Sequence, residues 1–86
     1  METIGPTVHV HSAKEIGLAI RKCRKNNGLT LTDVAGLTNV GIRFLSELEN
    51  GKPTVRLDKL LRVANAMGLQ LLIVSPPDPR TEKVTK

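Results

Sequence analysis

Apolar residues recur at helical spacing in four separate stretches of the chain. Ile16, Ile20 and Cys23, spaced by four and then three, draw one apolar stripe along a helix whose other faces carry Arg21, Lys22, Arg24 and Lys25. The preceding SAKE opens that helix, because Ser12 can cap the amide three residues on and Glu15 can reach back to the cap's own amide. Asn26, Asn27 and Gly28 stop it, Gly28 being suited to the left-handed C-terminal position. The basic residues near its end complement the helix dipole, which accounts for them as well as a phosphate contact does.

Thr30 opens a second, short helix through TLTD, with Val34, Ala35 and Leu37 predicted on its inner side. Thr38 and Asn39 follow as a sharp turn, asparagine being the non-glycine residue best able to hold a positive φ. A third helix starts at Gly41 or the residue before it, and Leu45 and Leu48 continue the apolar stripe from Val40. NGKPT, residues 50–54, is a loop by its turn chemistry. A fourth helix spans about 57–67, with Leu57, Leu60, Leu61, Ala64 and Met67 at helical spacing and Gly68 as its stop.

After Gly68 the period changes. Leu69, Gln70, Leu71, Leu72, Ile73 and Val74 form an apolar run too short for a helix and bounded by Gly68 and SPPDP, which predicts a strand. VHVH at 8–11 is the one other stretch that looks extended, and it is very short. An unpaired apolar strand would expose its amides, so the strand is expected to pair with its twin across a two-fold dimer. The organisation read from these signals is an N-terminal arm at 1–11 that could include a short strand, a helical domain at 12–68, a dimerisation strand at 69–74 and a disordered tail at 75–86.

Composition narrows the chemistry. At 86 residues and 40% hydrophobic content the chain is one small domain with a modest core, for which a second subunit is a natural support. A net charge of +5 and a pI near 9.9 favour a polyanionic partner. The charge is uneven: residues 1–28 carry +3, residues 29–55 carry −1, residues 56–75 carry +2 and the remainder +1. With no Trp or Tyr and a single Phe, the chain has no stacking platform for single strands, so a duplex read through a groove is the expected nucleic-acid ligand. One cysteine excludes an internal disulfide, and without a leader-like or long apolar run the chain reads as cytoplasmic, with no membrane partner. No nucleophile with a base and no carboxylate dyad stands out, and His9 and His11 alone do not close a zinc site. No enzyme activity, cofactor or metal is expected, and Cys23 reads as a small buried side chain.

GLTLTDVAGLTNVGIRFLSELENGKP, Gly28 to Pro53, resembles the helix-turn-helix of the Cro-repressor or xenobiotic-response-element (XRE) class, and LDKLLRVANAMGL resembles that family's closing helix. The resemblance implies an all-α fold, a compact lambda-repressor-like bundle of four to five helices, here with one C-terminal β-strand pairing across a dimer. The capped first helix and the terminal LQLLIV further resemble the HipB-type antitoxins, which implies a dimeric autorepressor that binds a HipA-like kinase toxin.

In such a unit the second helix presents its N-terminus to a phosphate and the third enters the major groove. Carried onto this sequence, Ile42, Arg43, Ser46 and Glu47 are the base-contacting positions. Arg43 can donate to guanine O6 and N7, Glu47 can accept from cytosine N4, and Ile42 can pack on a thymine methyl. Arg43 and Glu47, four apart, can equally pair with each other. Thr30, Thr32, Gly41, Asn50 and Lys52 are the expected backbone contacts, with capping the alternative for Thr30 and a solvated loop the alternative for Asn50 and Lys52. Leu31 stands where the family usually has Gln, so that phosphate anchor is missing. The resemblance makes Arg24 and Glu49 a buried ion pair tying the first helix to the third, and Phe44 is expected at the edge of the core. The implied function is a sequence-specific double-stranded DNA-binding repressor with a palindromic operator, the antitoxin of a type II operon that autoregulates its promoter. The alternatives are a protein-interaction module of the same fold without DNA binding, and a phage-type repressor with no toxin partner.

Overall fold

Residues 5–79 are described by the computed structural model. Within them lie four helices: α1 (Ala13–Asn26), α2 (Leu31–Thr38), α3 (Ile42–Glu49) and α4 (Leu57–Ala66). Ser12 Oγ accepts the Glu15 amide at 3.2 Å, as its type and position suggest. The Glu15 carboxylate takes the amide of His11, one residue ahead of the cap amide expected for it. At α2 the capping box is complete: Thr30 Oγ1 accepts the Asp33 amide at 3.0 Å and Asp33 Oδ2 accepts the Thr30 amide at 2.9 Å.

Three helices end in the same way. The amides of Leu29, Lys52 and Leu69 donate back to the carbonyls of Arg24, Glu47 and Ala64 at 3.1, 3.0 and 2.9 Å, closing the chain over a left-handed glycine in each case. α2 ends differently, on Asn39 at φ 58° and ψ 38°, the one non-glycine residue with positive φ among the described residues. Arg62 of α4 reaches that corner and donates to the Thr38 carbonyl at 3.4 Å.

The core is built by all four helices around Ile20, Val34, Val40, Leu45, Leu48, Leu60 and Val63, with Ala64 beside them. α3 packs on α1 and α2, and α4 packs on α2. Two helices sit at a different rotation from the one their apolar spacing suggested. In α2, Leu37 is 66% exposed and Thr38 is buried in its place. Thr38 tolerates burial because its hydroxyl donates to the Val34 carbonyl one turn back at 2.7 Å. In α4, Val63 is fully buried whereas Leu57 is 64% exposed and Leu61 is also on the surface. Leu57, Leu60, Leu61 and Ala64 share helical spacing with Leu60, Val63, Ala64 and Met67, and the second set is the one that meets α2 and the core. Cys23 is half-buried, its Sγ 3.7 Å from the Met67 carbonyl. Phe44 is half-buried at the edge of the core, with Lys59 Nζ 5.5 Å from the ring centroid.

Among the described residues no strand is formed. Leu69 packs against the core, and residues 70–74 follow as an exposed, unpaired segment in which Ile73 is 96% exposed. A strand exists only through its ladder, and none of the described residues pairs with 69–74. Residues 8–11 likewise carry no ladder. The disordered tail expected at 75–86 falls, from residue 80 onward, outside the described residues. No described helix is long and apolar enough to cross a membrane.

Two close approaches fix α1. A Cβ on Gly17 would strike the Leu48 carbonyl oxygen and lie 2.7 Å from that of Glu49, so the α1 backbone rests directly on the end of α3. Gly51, at φ 85°, brings the loop after α3 within 2.8 Å of Lys14 Cα, measured from the Cβ it lacks. Gly36, in the exposed part of α2, has nothing within 4 Å of the same position. Alanine substitutions at the two helical glycines are therefore expected to act with opposite sign. Gly36→Ala should stabilise by about 0.5–1 kcal/mol through helix propensity. Gly17→Ala gains the same propensity but drives a methyl into backbone that cannot yield, a net loss of about 1–3 kcal/mol. Urea denaturation of the two variants reads both signs, and equal shifts would show that α1 and α3 do not touch there.

Candidate nucleic-acid interface

The position of α3 is set from beneath. Arg24, in the last turn of α1, donates from Nε to Glu49 Oε2 at 2.7 Å and from Nη2 to Glu49 Oε1 at 2.9 Å. Its remaining Nη1 donates to the Leu29 carbonyl at 2.8 Å, in the loop that leads into α2. Both side chains are at least nine-tenths buried, and no buried side-chain polar atom among the described residues lacks a partner. One guanidinium thus joins α1, the α1–α2 loop and the end of α3. The Glu49 hydrogen bond holds the Arg24 pKa above its ordinary value, against the desolvation that opposes it.

From the other side, Asn39 turns the chain so that Val40 enters the core and Gly41 starts α3 as its cap, with the Leu45 amide on the Gly41 carbonyl at 3.1 Å. An eight-residue helix of about 12 Å is then held along one edge by Leu45, Leu48 and Glu49. Its opposite edge is Ile42, Arg43, Ser46 and Glu47. Ile42 is exposed, and the Arg43 side chain is 92% exposed. Ser46 and Glu47 are half-buried on the flank.

Five of the sequence-predicted site residues are brought together here. Arg43 Nε lies 3.4 Å from Glu47 Oε2, and Lys52 Nζ lies 3.2 Å from Glu47 Oε1, so one carboxylate stands between two cations. Asn50 Nδ2 reaches Ser46 Oγ at 3.5 Å. Lys52, followed by Arg43, holds the Glu47 carboxyl below its ordinary pKa. Thr30 and Thr32 are exposed at the start of α2, where the Thr30 hydroxyl already accepts the Asp33 amide. The Thr30 amide, and after it the Thr30 side chain, keep the Asp33 carboxyl charged to lower pH than usual.

Leu31, between those threonines, is half-buried against the core rather than turned to solvent. It lines a groove of about 220 Å³ with Arg21, Arg24, Ser46, Glu49 and Asn50, which joins the start of α2 to the flank of α3. Arg21 was not among the predicted contacts, although it precedes the anchoring Arg24 by one helical turn and so shares its face. Two short helices joined by a left-handed turn, the second presenting a polar edge over a buried one, define a helix-turn-helix unit.

Comparison with known proteins agrees with this geometry. Residues 20–74 match the helix-turn-helix family profile. An uncharacterized HTH-type transcriptional regulator of Sinorhizobium fredii, y4mF, is 35% identical over 71 residues, covering 83% of this chain and 93% of the relative. A chain of the HipA-HipB-O2-O3 complex superposes with a TM-score of 0.74 over 80% of this chain and 97% of its own, and at 17% identity this is a likeness of fold. The clp gene regulator ClgR from C. glutamicum gives a TM-score of 0.63 at 34% identity, over 69% of this chain and 76% of its own. The chain belongs to the XRE-type helix-turn-helix family of transcriptional regulators, with a HipB-like fold.

Because Arg24 and Glu49 are buried together, removing one strands the other. Glu49→Ala is expected to lower stability by about 3–5 kcal/mol, while the double change Arg24→Met with Glu49→Leu, which leaves no charge behind, should recover most of that loss. Chemical denaturation of the two variants decides it; a double variant no better than the single one would mean that the pair does more than satisfy its own charges.

Proposed function

We propose that this chain is a sequence-specific repressor of double-stranded DNA, acting as a homodimer on a palindromic operator. The reading is carried by one observation: α3 is anchored through Glu49 and Leu45 so that Arg43 stands almost fully in solvent at the start of an outward edge. Arg43 donates to guanine O6 and N7, Ile42 packs on a thymine methyl, and Ser46 and Glu47 address neighbouring base edges. Thr30, Thr32, Gly41, Asn50 and Lys52 contact the sugar-phosphate backbone, and Arg21 adds a cation beside the groove where Leu31 supplies none. The HipB-O4 20mer and HipB-O1-O2 complexes, both with a TM-score of 0.74 to this chain, support a duplex ligand for this fold.

The dimer is proposed to form through residues 69–74, in which the exposed apolar side chains and unpaired backbone of 70–74 are satisfied by the same segment of a second copy. Each α3 is then offered to successive major-groove turns about 34–36 Å apart. Repression follows by occlusion of the promoter. The likeness to a chain of a HipA-HipB complex supports a further role as the antitoxin of an autoregulated type II operon with a HipA-like kinase toxin.

Selection from random duplexes, repeated at two ionic strengths, tests the DNA reading. A palindromic consensus and a steep fall of affinity with salt are expected, and Arg43→Ala should weaken the specific-to-nonspecific ratio by about 1–3 kcal/mol at one base pair. Recovery of no preferred sequence would leave the protein-interaction module as the reading of this fold. Light scattering tests the dimer: the chain lacking residues 69–74 should run as monomer or aggregate, and a persisting dimer would place the subunit contact elsewhere.

A further inference from the structure

Glu47 is the sole acid on the outward edge of α3, and it is the residue that both Arg43 of that edge and Lys52 of the following loop approach. Its partners lie at 3.4 and 3.2 Å, and the three side chains are respectively 92% (Arg43), 43% (Lys52) and 34% (Glu47) exposed. Pairs of this length and exposure are weak and exchangeable, so they do little for the fold. Glu47 also sits in the last turn of α3, the end of a helix at which a negative charge is least favourable. The arrangement is therefore poorly explained as a stabilising one.

Its effect on a polyanion is direct. Arg43, Glu47 and Lys52 together present one net positive charge where the two cations alone would present two, within a segment, residues 29–55, whose net charge with these three included is −1. We propose that Glu47 is a specificity-determining brake: it holds Arg43 and Lys52 on the protein and suppresses binding to unselected DNA until a duplex offers donors that replace them. The inference rests on the duplex-binding reading above and deepens it. A cytosine N4 amino group beside a guanine supplies both halves of the exchange, a donor for Glu47 and the O6 and N7 acceptors for Arg43. A guanine or thymine at that position offers only acceptors and leaves the carboxylate unpartnered among phosphates, so discrimination comes from repulsion at wrong sites as much as attraction at the right one.

The test is Glu47→Gln, which keeps the side chain's size and removes its charge. Binding is followed by fluorescence anisotropy on two labelled duplexes, the one recovered by selection and a scrambled version, across a NaCl series. For the scrambled duplex, affinity should rise about three- to tenfold and the slope of log K against log salt should steepen by about 1–2 per subunit as freed cations reach phosphates. The ratio between the two duplexes should fall. Lys52→Gln gives an independent readout: it should weaken scrambled binding more in the Glu47→Gln background than in the natural chain. A Glu47→Gln protein with wild-type circular dichroism and unchanged salt slope overturns the brake while leaving the duplex reading intact. If neither the natural chain nor Glu47→Gln binds duplex, both readings fall together.

Discussion

The contact between the α1 helix and the end of α3 governs everything the outward edge can do. It has two parts of different character. At Gly17 the backbones touch, which sets distance, and at Arg24 a bidentate bond to Glu49 sets rotation. A third bond, from Arg24 to the Leu29 carbonyl, ties the loop before α2 into the same node. An eight-residue helix is too short to hold a direction by itself, since isolated helices of this length are marginal in water. α3 points outward because it is clamped at its C-terminal end by α1 and at its start by the Asn39 turn.

Arg24 and Arg43 have opposite environments. Arg24 is buried with all of its nitrogens committed, so it is unavailable to a ligand and its charge is visible mainly to Glu49. Arg43 is exposed, held only by a long contact to Glu47, and therefore free to leave. A charge count along the chain does not separate these cases; burial and bond length do. The distribution of charge points the same way. The first 28 residues hold most of the positive excess, while the helix-turn-helix stretch is slightly acidic. The positive excess thus lies largely in α1 and the flanks rather than on the edge of α3.

Local chemistry made much of this legible in the sequence. Ser12, the Thr30–Asp33 box and the left-handed Asn39 are short-range features, decided within a few residues, and all are present in the structure. The resemblance carried over from the helix-turn-helix class named Arg24 and Glu49, whose contact spans residues far apart in sequence and could not come from periodicity. Rotation of the amphipathic helices was less legible. Spacing fixes that a stripe exists, but α4 holds two overlapping stripes, and only packing against α2 chooses Val63 over Leu57. Leu37 was misplaced for a related reason, since a hydroxyl able to satisfy itself lets Thr38 take the inner position. Gly17 left no signal at all: a glycine inside a helix reads as a weak point until a second backbone is laid against it. Residues 69–74 are a different case, because a strand needs a ladder partner and none pairs with them among the described residues.

Division of labour along α3 follows from its periodicity. Leu45, Leu48 and Glu49 face the bundle, and Ile42, Arg43 and Glu47 do not, so neighbours in sequence belong to different free-energy terms. Substitutions on the outer edge leave the clamp untouched, since they share no partner with Gly17 or Arg24. Lys52 is the exception that couples the halves. It belongs to the loop that Gly51 packs against Lys14 of α1, yet its ammonium reaches Glu47 on the outer edge. The backbone that locks α3 onto α1 thereby also delivers the cation that restrains α3's acid, and the position of the loop sets both.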